Sequence, residues 1–498
     1  VTYFQFLSEY PPMSIERSEF PGWTRRRFVG AGLATAGAVL LGTRAPGVQA
    51  RGPAEGGLGA DLDQLAGKIH GRLLRPGSPL YDDARLVWNK AYDRHPLAMA
   101  RCADLDDVRR CVALARRHEL AVAIRGGGHS YAGFGVADDA LQIDLAAFNS
   151  VKVDAERRIA SVGGGTRIRE LLTATLAAGL TTPMGACGDV GVAGLALAGG
   201  DTAGRGLYGT ACDNVIGAQL VTADGEVLEL GPDQNQDLYW AIRGGGGNFG
   251  VVTRLDFRLY PLRPLHSAYF EFGWTDIAGA MRAFAELIRE PADEVRAGFF
   301  TDPDGGASAS CGSYADLPAA KAFIEQCRAA FRSPDAPMKT TAAPDPQGEV
   351  WHSTAVAVTG AFLEGLDDDD LIDVLARAAI DGRGVGAILM GLSSGKAARI
   401  GMTDTAYALR GNGLSSLLSA TWKTPQQRAR AEQWIAEHGA ALRPWARRAY
   451  VNYMAPGSPE RVREVYGVNY ARLAQIKARY DPANLFRVNQ NILPSTEA

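Results

Sequence analysis

RGGGHSYAG, at residues 125–133, is the stretch from which the rest of the chain can be read. Three glycines follow a short apolar run, AVAI at 121–124, and lead into a histidine and a serine. Glycine reaches backbone conformations closed to other residues and lets the main chain approach a ligand with no side chain between them. A glycine loop between a strand and a polar patch is therefore a candidate anion-binding nest, with a set of tight turns as the plain alternative. GGGG at 244–247 repeats the device. Neither cluster has the G-x-G-x-x-G spacing of a dinucleotide fingerprint, and neither is followed by the GK[ST] of a P-loop. A pyridine-nucleotide enzyme fails on that test.

Working outward, AMARCA (98–103) reads as a strand and DLDDVRRCVALARRHEL (104–120) as an amphipathic helix with Asp104 near its start. Beyond the loop come a strand ALQIDL (140–145), hairpin character in VKVDAERRIASVG (151–163) and a helix RIRELLTATLAAG (167–179). CDNVIGAQLVTADGEVLEL (212–230) is a strand, an Asp-Gly turn and a second strand. From 263 to 445 the glycine clusters thin out. Helical patterns such as AGAMRAFAELIRE and DLIDVLARAAI mix there with strand alternation, which predicts a sheet with helices on one side. The last fifty residues return to the character of the first region.

The chain has 498 residues, 46% hydrophobic, enough to bury large cores in two or three domains. Lys+Arg number 52 against 55 Asp+Glu, and no basic stripe occurs outside the extreme N-terminus, so no nucleic-acid partner is expected. TRRRFV (24–29) is followed by AGLATAGAVLLG, too short to span a bilayer comfortably, and by TRAPGVQA, ending at Ala50. Arg25, Arg26 and Phe28 resemble a twin-arginine export signal. Residues 1–50 are thus expected to engage the twin-arginine machinery and lead to secretion, with no stable membrane insertion; a surface helix or an anchor is the alternative. The six cysteines show neither zinc-like spacing nor a dense disulfide pattern. No metal is expected.

RGGGHSYAG resembles the pyrophosphate loop of the berberine-bridge-enzyme-like flavoprotein oxidases, a branch of the vanillyl-alcohol-oxidase (PCMH-type) FAD-binding fold. QIDLAAFNSVKVD (142–154), GACGDVGVAGLALAGG (185–200), YGTACDNVIGAQLVTADG (208–225), DLYWAIRGGGGNFGVVT (237–253) and YGVNYARLAQIKARYDPANLFRVNQNI (466–492) carry the same likeness in the same order. The resemblance implies an α+β protein: a two-part FAD-binding domain with an inserted α+β substrate domain, an antiparallel sheet covered by helices. The parts would be 60–262 and 446–498 for FAD and 263–445 for substrate. It also implies covalent FAD, bonded through His129 to the flavin 8α-methyl group. In the bicovalent subset a second bond runs from the cysteine of G-x-C-x-x-V-G to flavin C6, and Gly185, Cys187, Val190 and Gly191 match that pattern. Arg125, Gly126, Gly127, Gly128, His129 and Ser130 would cradle the pyrophosphate, while Asn214 and Asn248 would flank the ribityl chain or the ring edge.

Val190 stands where family members with valine tend to be oxidases, so O₂ is the expected acceptor and H₂O₂ the co-product. A flavin-linked dehydrogenase is the first alternative and a retired scaffold the second. The substrate is expected to be a small alcohol or a saccharide hemiacetal, with C–N or C–H tailoring still open. Hydride removal from a C–OH carbon needs a base for the hydroxyl proton. YVNY (450–453) resembles the family's active-site strand, which places the base at Tyr453. Strand alternation would turn Tyr450 to the opposite face, as a supporting residue. Relatives with a carboxylate seven residues before an Ala-x-Trp tryptophan have no counterpart here: that position, counted from Trp422, is Ser415, and the usual His-Arg pair reads Leu409-Arg410.

Overall fold

The computed structural model describes residues 57–496, except 203, 349–352, 365–367 and 447; the export segment expected at 1–50 lies outside the described residues. Three sheets carry the architecture, and each follows from a local pattern. The first has four strands in the order Arg72–Leu74, Ala98–Arg101, Leu141–Asp144, Val122–Arg125, and the last three run parallel. Leu141–Asp144 is buried along its whole length, as a parallel strand with a neighbour on each side requires. The helix Leu105–Arg117 supplies the crossover. Asp104 caps it by accepting the Asp107 N–H at 3.0 Å, worth about 1 kcal/mol, and Val108, Cys111, Val112 and Ala115 form its buried stripe. Because Val122–Arg125 ends at Arg125, the glycine loop leaves from the carboxyl edge of the parallel strands, where open α/β sheets bind ligands.

The second sheet is antiparallel, in the order Val151–Asp154, Ile159–Gly163, Val251–Arg258, Val215–Val221, Val227–Leu230. Both expected hairpins are there, and Gly225, at φ +80°, makes the turn of the second. The third sheet has seven antiparallel strands drawn from residues 265–422. Helices Ile277–Leu287, Leu317–Ala330, Asp369–Asp381 and Pro425–Ala441 cover one of its faces around a core that includes Phe284, Phe299, Ile324, Leu375 and Trp434. This is the expected α+β class, with a helix-covered antiparallel sheet.

The C-terminal segment packs back onto the first two sheets: Leu473 and Ile492 share a core with Phe249 and Phe257, and Phe486 shares one with Ile143. Lys477 fixes the join. Its fully buried ammonium donates to Asn248 O (2.7 Å) and Phe486 O (3.0 Å) and pairs with Asp481 (2.6 Å). Burying a charge costs several kcal/mol unless its bonds are all made, and here three donors meet three acceptors. Among the described residues no helix is long and apolar enough to cross a membrane.

Candidate active site

A cavity of about 410 Å³ opens where the carboxyl edge of the parallel strands, the glycine loops and the bare face of the seven-stranded sheet converge. Arg125, Gly126, Gly127, Gly128, His129 and Ser130 line it, and so do Gly185, Cys187, Val190, Gly191 and Asn248. Two loops 60 residues apart meet because neither has a side chain at the contact. A Cβ on Gly127 would lie 2.3 Å from the Gly191 nitrogen, and one on Gly191 would lie 2.4 Å from the Gly127 nitrogen. That backbone-to-backbone contact brings His129 and Cys187 to one space.

The cavity suits a large phosphate-bearing group. Among the described residues no acceptor takes the amide protons of residues 126–130. Gly128 has φ +72°, and the Arg125 guanidinium folds back over it. Gly194 and Gly247 also line the cavity, and a Cβ on either would meet nothing within 4 Å. Thr202 Oγ1, Ser415 Oγ and Asn489 Oδ1 are buried there without a hydrogen-bond partner among the described residues. Buried polar groups rarely stay unpaired, so these point to a bound partner. The residues present fit FAD. The loop amides and Arg125 would hold its pyrophosphate, and His129 and Cys187, which line the same cavity, would face its ring end.

His129 stacks on Trp88, with ring centroids 5.4 Å apart at 22°. Burial pushes its pKa down to about 4, helped by the charges of Arg167 and Arg169. The imidazole is therefore neutral at pH 7 and keeps a lone pair for bond formation. Cys187 is buried, and the turn that carries it is braced from outside by the bond from Gly188 N–H to Gln347 O (3.2 Å). Beside it, Asp189 is held by Arg167 (3.0 Å) and Arg169.

YVNY differs from the expected strand. Val451–Tyr453 is a 3₁₀ turn, closed by Tyr453 N–H to Tyr450 O at 2.8 Å. With three residues per turn, positions 450 and 453 eclipse rather than oppose. The two rings lie 4.9 Å apart at 77°, and both residues line the cavity. Packing enforces the turn: the Tyr450 oxygen is pinned by N–H donors from Gly200 (3.2 Å) and Asn452 (3.0 Å), and Tyr453 lies hard against Gly360. Both phenols are pushed above their ordinary pKa by burial. At Tyr450 the two N–H donors oppose that shift. At Tyr453 the neighbouring Tyr131 and Tyr450 add to it, and the Arg205 charge opposes it.

Asn214 is not brought to the cavity. Its amide nitrogen donates to Tyr208 O (3.1 Å) and Thr210 O (2.8 Å) while its oxygen accepts from Tyr260 (2.7 Å), so the side chain is spent on its own turn. Asn248 does line the cavity, but its side chain ties the glycine loop to Gln490 O (3.2 Å) and Ile492 N–H (3.0 Å). Ser415 faces the cavity, whereas Leu409 is core and Arg410 is sunk against Asp213 at 2.7 Å. Sequence reasoning passed over Trp88, Tyr131 and Arg205. Arg205 pairs with Asp201 and donates to Leu392 O at 2.6 Å. An arginine among the glycines of DTAGRGLYG was the one available signal.

Comparison with known proteins finds the same fold among FAD-linked proteins. A family model described as an FAD binding domain matches residues 96–231, and one described as berberine and berberine like matches residues 449–493. The chain is 29% identical over 457 residues to (R)-6-hydroxynicotine oxidase of Paenarthrobacter nicotinovorans, covering 86% of this chain and 97% of that one. It superposes on BBE-like 1 of Physcomitrella patens with a TM-score of 0.82 at 24% identity, over 88% of this chain and all of the other. On a xylooligosaccharide oxidase from Myceliophthora thermophila C1 the TM-score is 0.78 at 22% identity, over 87% and 99%.

Proposed function

We propose that this chain, which belongs to the berberine-like FAD-linked oxidoreductases, is an oxidase that holds FAD through both His129 and Cys187. It takes a hydride from an alcohol or hemiacetal carbon of a small organic or saccharide substrate and delivers the electrons to O₂, giving H₂O₂. The observation that carries this reading is the contact of Gly127 with Gly191, which presents a neutral imidazole and a thiol to one cavity. When bound, the flavin supplies a two-electron acceptor that O₂ can regenerate.

The chain's own residues supply the rest. Open amides in 126–130 orient the pyrophosphate, and Trp88 fixes the plane of His129. Val190 leaves room beside the Cys187 turn where a longer side chain would close the gap, given the density of protein interiors. Tyr453 faces the cavity and takes the hydroxyl proton as its phenolate, the form that burial disfavours. Arg205 is the positive charge that favours its phenolate against burial, and Tyr450 holds it in place.

The test is reoxidation. Protein reduced anaerobically and mixed with aerated buffer should regain its flavin absorbance within seconds, releasing one peroxide per flavin. A reduced flavin that persists for minutes in air would establish the dehydrogenase alternative instead.

A further inference from the structure

The bare face of the seven-stranded sheet carries a row of directly paired residues: Tyr269, Ser310, Gly298, Gly391 and Ser415, on five successive strands. All five line the cavity. Paired residues share a face, and so do residues two apart on one strand. Arg296 and Phe300 therefore flank Gly298 on the cavity side, while Ala297 and Phe299 point into the helix-covered core. The Phe300 ring tip leans over Gly298, and Leu389 pairs with Phe300 across the strands. The result is a flat platform of small residues, apolar at one end and cationic at the other.

The charges on this wall do not balance. Asp201 is the sole carboxylate lining the cavity among the described residues, and Arg205 has already taken it. Arg205 lies over Gly391 and feels the charge of Arg296. The Arg296 guanidinium has no ion-pair or hydrogen-bond partner among the described residues. Two neighbouring arginines with one acid leave a site for a second anion. It is separate from the pyrophosphate loop, whose Arg125 feels Asp144, Arg101 and Arg167 instead.

We propose that the substrate is an organic carboxylate with a flat, apolar body, its anionic end held by Arg296 and its body laid over Gly298 and Gly391 beside Phe300. This deepens the oxidase reading and rests on it for the identity of the cavity. A planar fork matches a carboxylate in two parallel hydrogen bonds, and such charge-assisted bonds are about twice as strong as neutral ones.

Benzoate and benzamide are isosteric probes that differ in that charge and cannot themselves be oxidised here. Titrated calorimetrically into the purified flavoprotein at pH 7, benzoate should bind at least ~10-fold more tightly than benzamide, and added salt should weaken benzoate alone. Arg296→Met should abolish the preference, and Arg296→Lys should keep part of it, with flavin absorbance showing that both variants are folded and loaded. Equal binding of the two probes to the parent protein, or a preference that survives in Arg296→Met, would overturn the proposal. Because no turnover is measured, a protein that fails to reduce O₂ can still pass. Should Arg296→Met not fold, the parent ratio, its salt dependence and Arg296→Lys decide.

Discussion

The two walls of the cavity are made in different ways. On the loop side the surface is backbone: Gly127 sits on Gly191, the amides of 126–130 find no acceptor among the described residues, and Gly194 and Gly247 leave the main chain bare. On the sheet side the surface is side chain: Tyr269, Arg296, Phe300 and Ser415 project from strands whose other face is ordinary core. A backbone surface tolerates almost no change, since the only residue that fits is the one with no side chain. A side-chain surface can be rewritten at each alternate position without disturbing the sheet. The first suits a constant cofactor, the second a substrate that differs between relatives.

The largest effect expected on this contrast concerns the residue that joins the walls. Tyr453→Phe should leave the flavin attached and its spectrum nearly unchanged while flavin reduction slows about 10²-fold or more, the scale of general-base loss. Stopped-flow reduction across a pH range reads it. If Tyr453→Phe reduces at the parent rate and Tyr450→Phe does not reduce at all, the base is Tyr450, the phenol whose oxygen already receives two N–H donors.

A smaller effect sharpens the contrast directly. Gly127→Ala sets a methyl group 2.3 Å from a backbone nitrogen and should cost about 1–3 kcal/mol in a denaturant melt. Gly298→Ala meets the far end of the Phe300 ring at 2.7 Å and Met390 O at 3.1 Å, neither as close as the backbone contact at Gly127, and should cost about 1 kcal/mol. Equal losses at the two sites would show that the walls are not built differently.

The same contrast explains how far the sequence could be read. The helix at 105–117, both hairpins and the helix-covered sheet follow from periodicity and turn residues that act locally. The glycine loops were visible because close approach leaves no alternative to glycine. No local pattern marks Arg296, because what it faces depends on which side of its sheet meets loops about 170 residues earlier in the chain. YVNY has the composition of a strand and becomes a 3₁₀ turn because Gly200, Asn452 and Gly360 hold its ends, contacts that no local pattern encodes. Asn214, beside a strand in a matching motif, proved to be a turn residue whose polar atoms are all consumed nearby.

The central claim is that two loops, joined at Gly127 and Gly191, deliver His129 and Cys187 to one flavin. Intact-mass measurement of the denatured, acid-washed protein tests it most directly. The parent chain should carry the mass of one FAD. His129→Ala and Cys187→Ala should each retain it through the remaining bond, and the double variant should lose it. Release of FAD from the parent chain on denaturation would contradict the account.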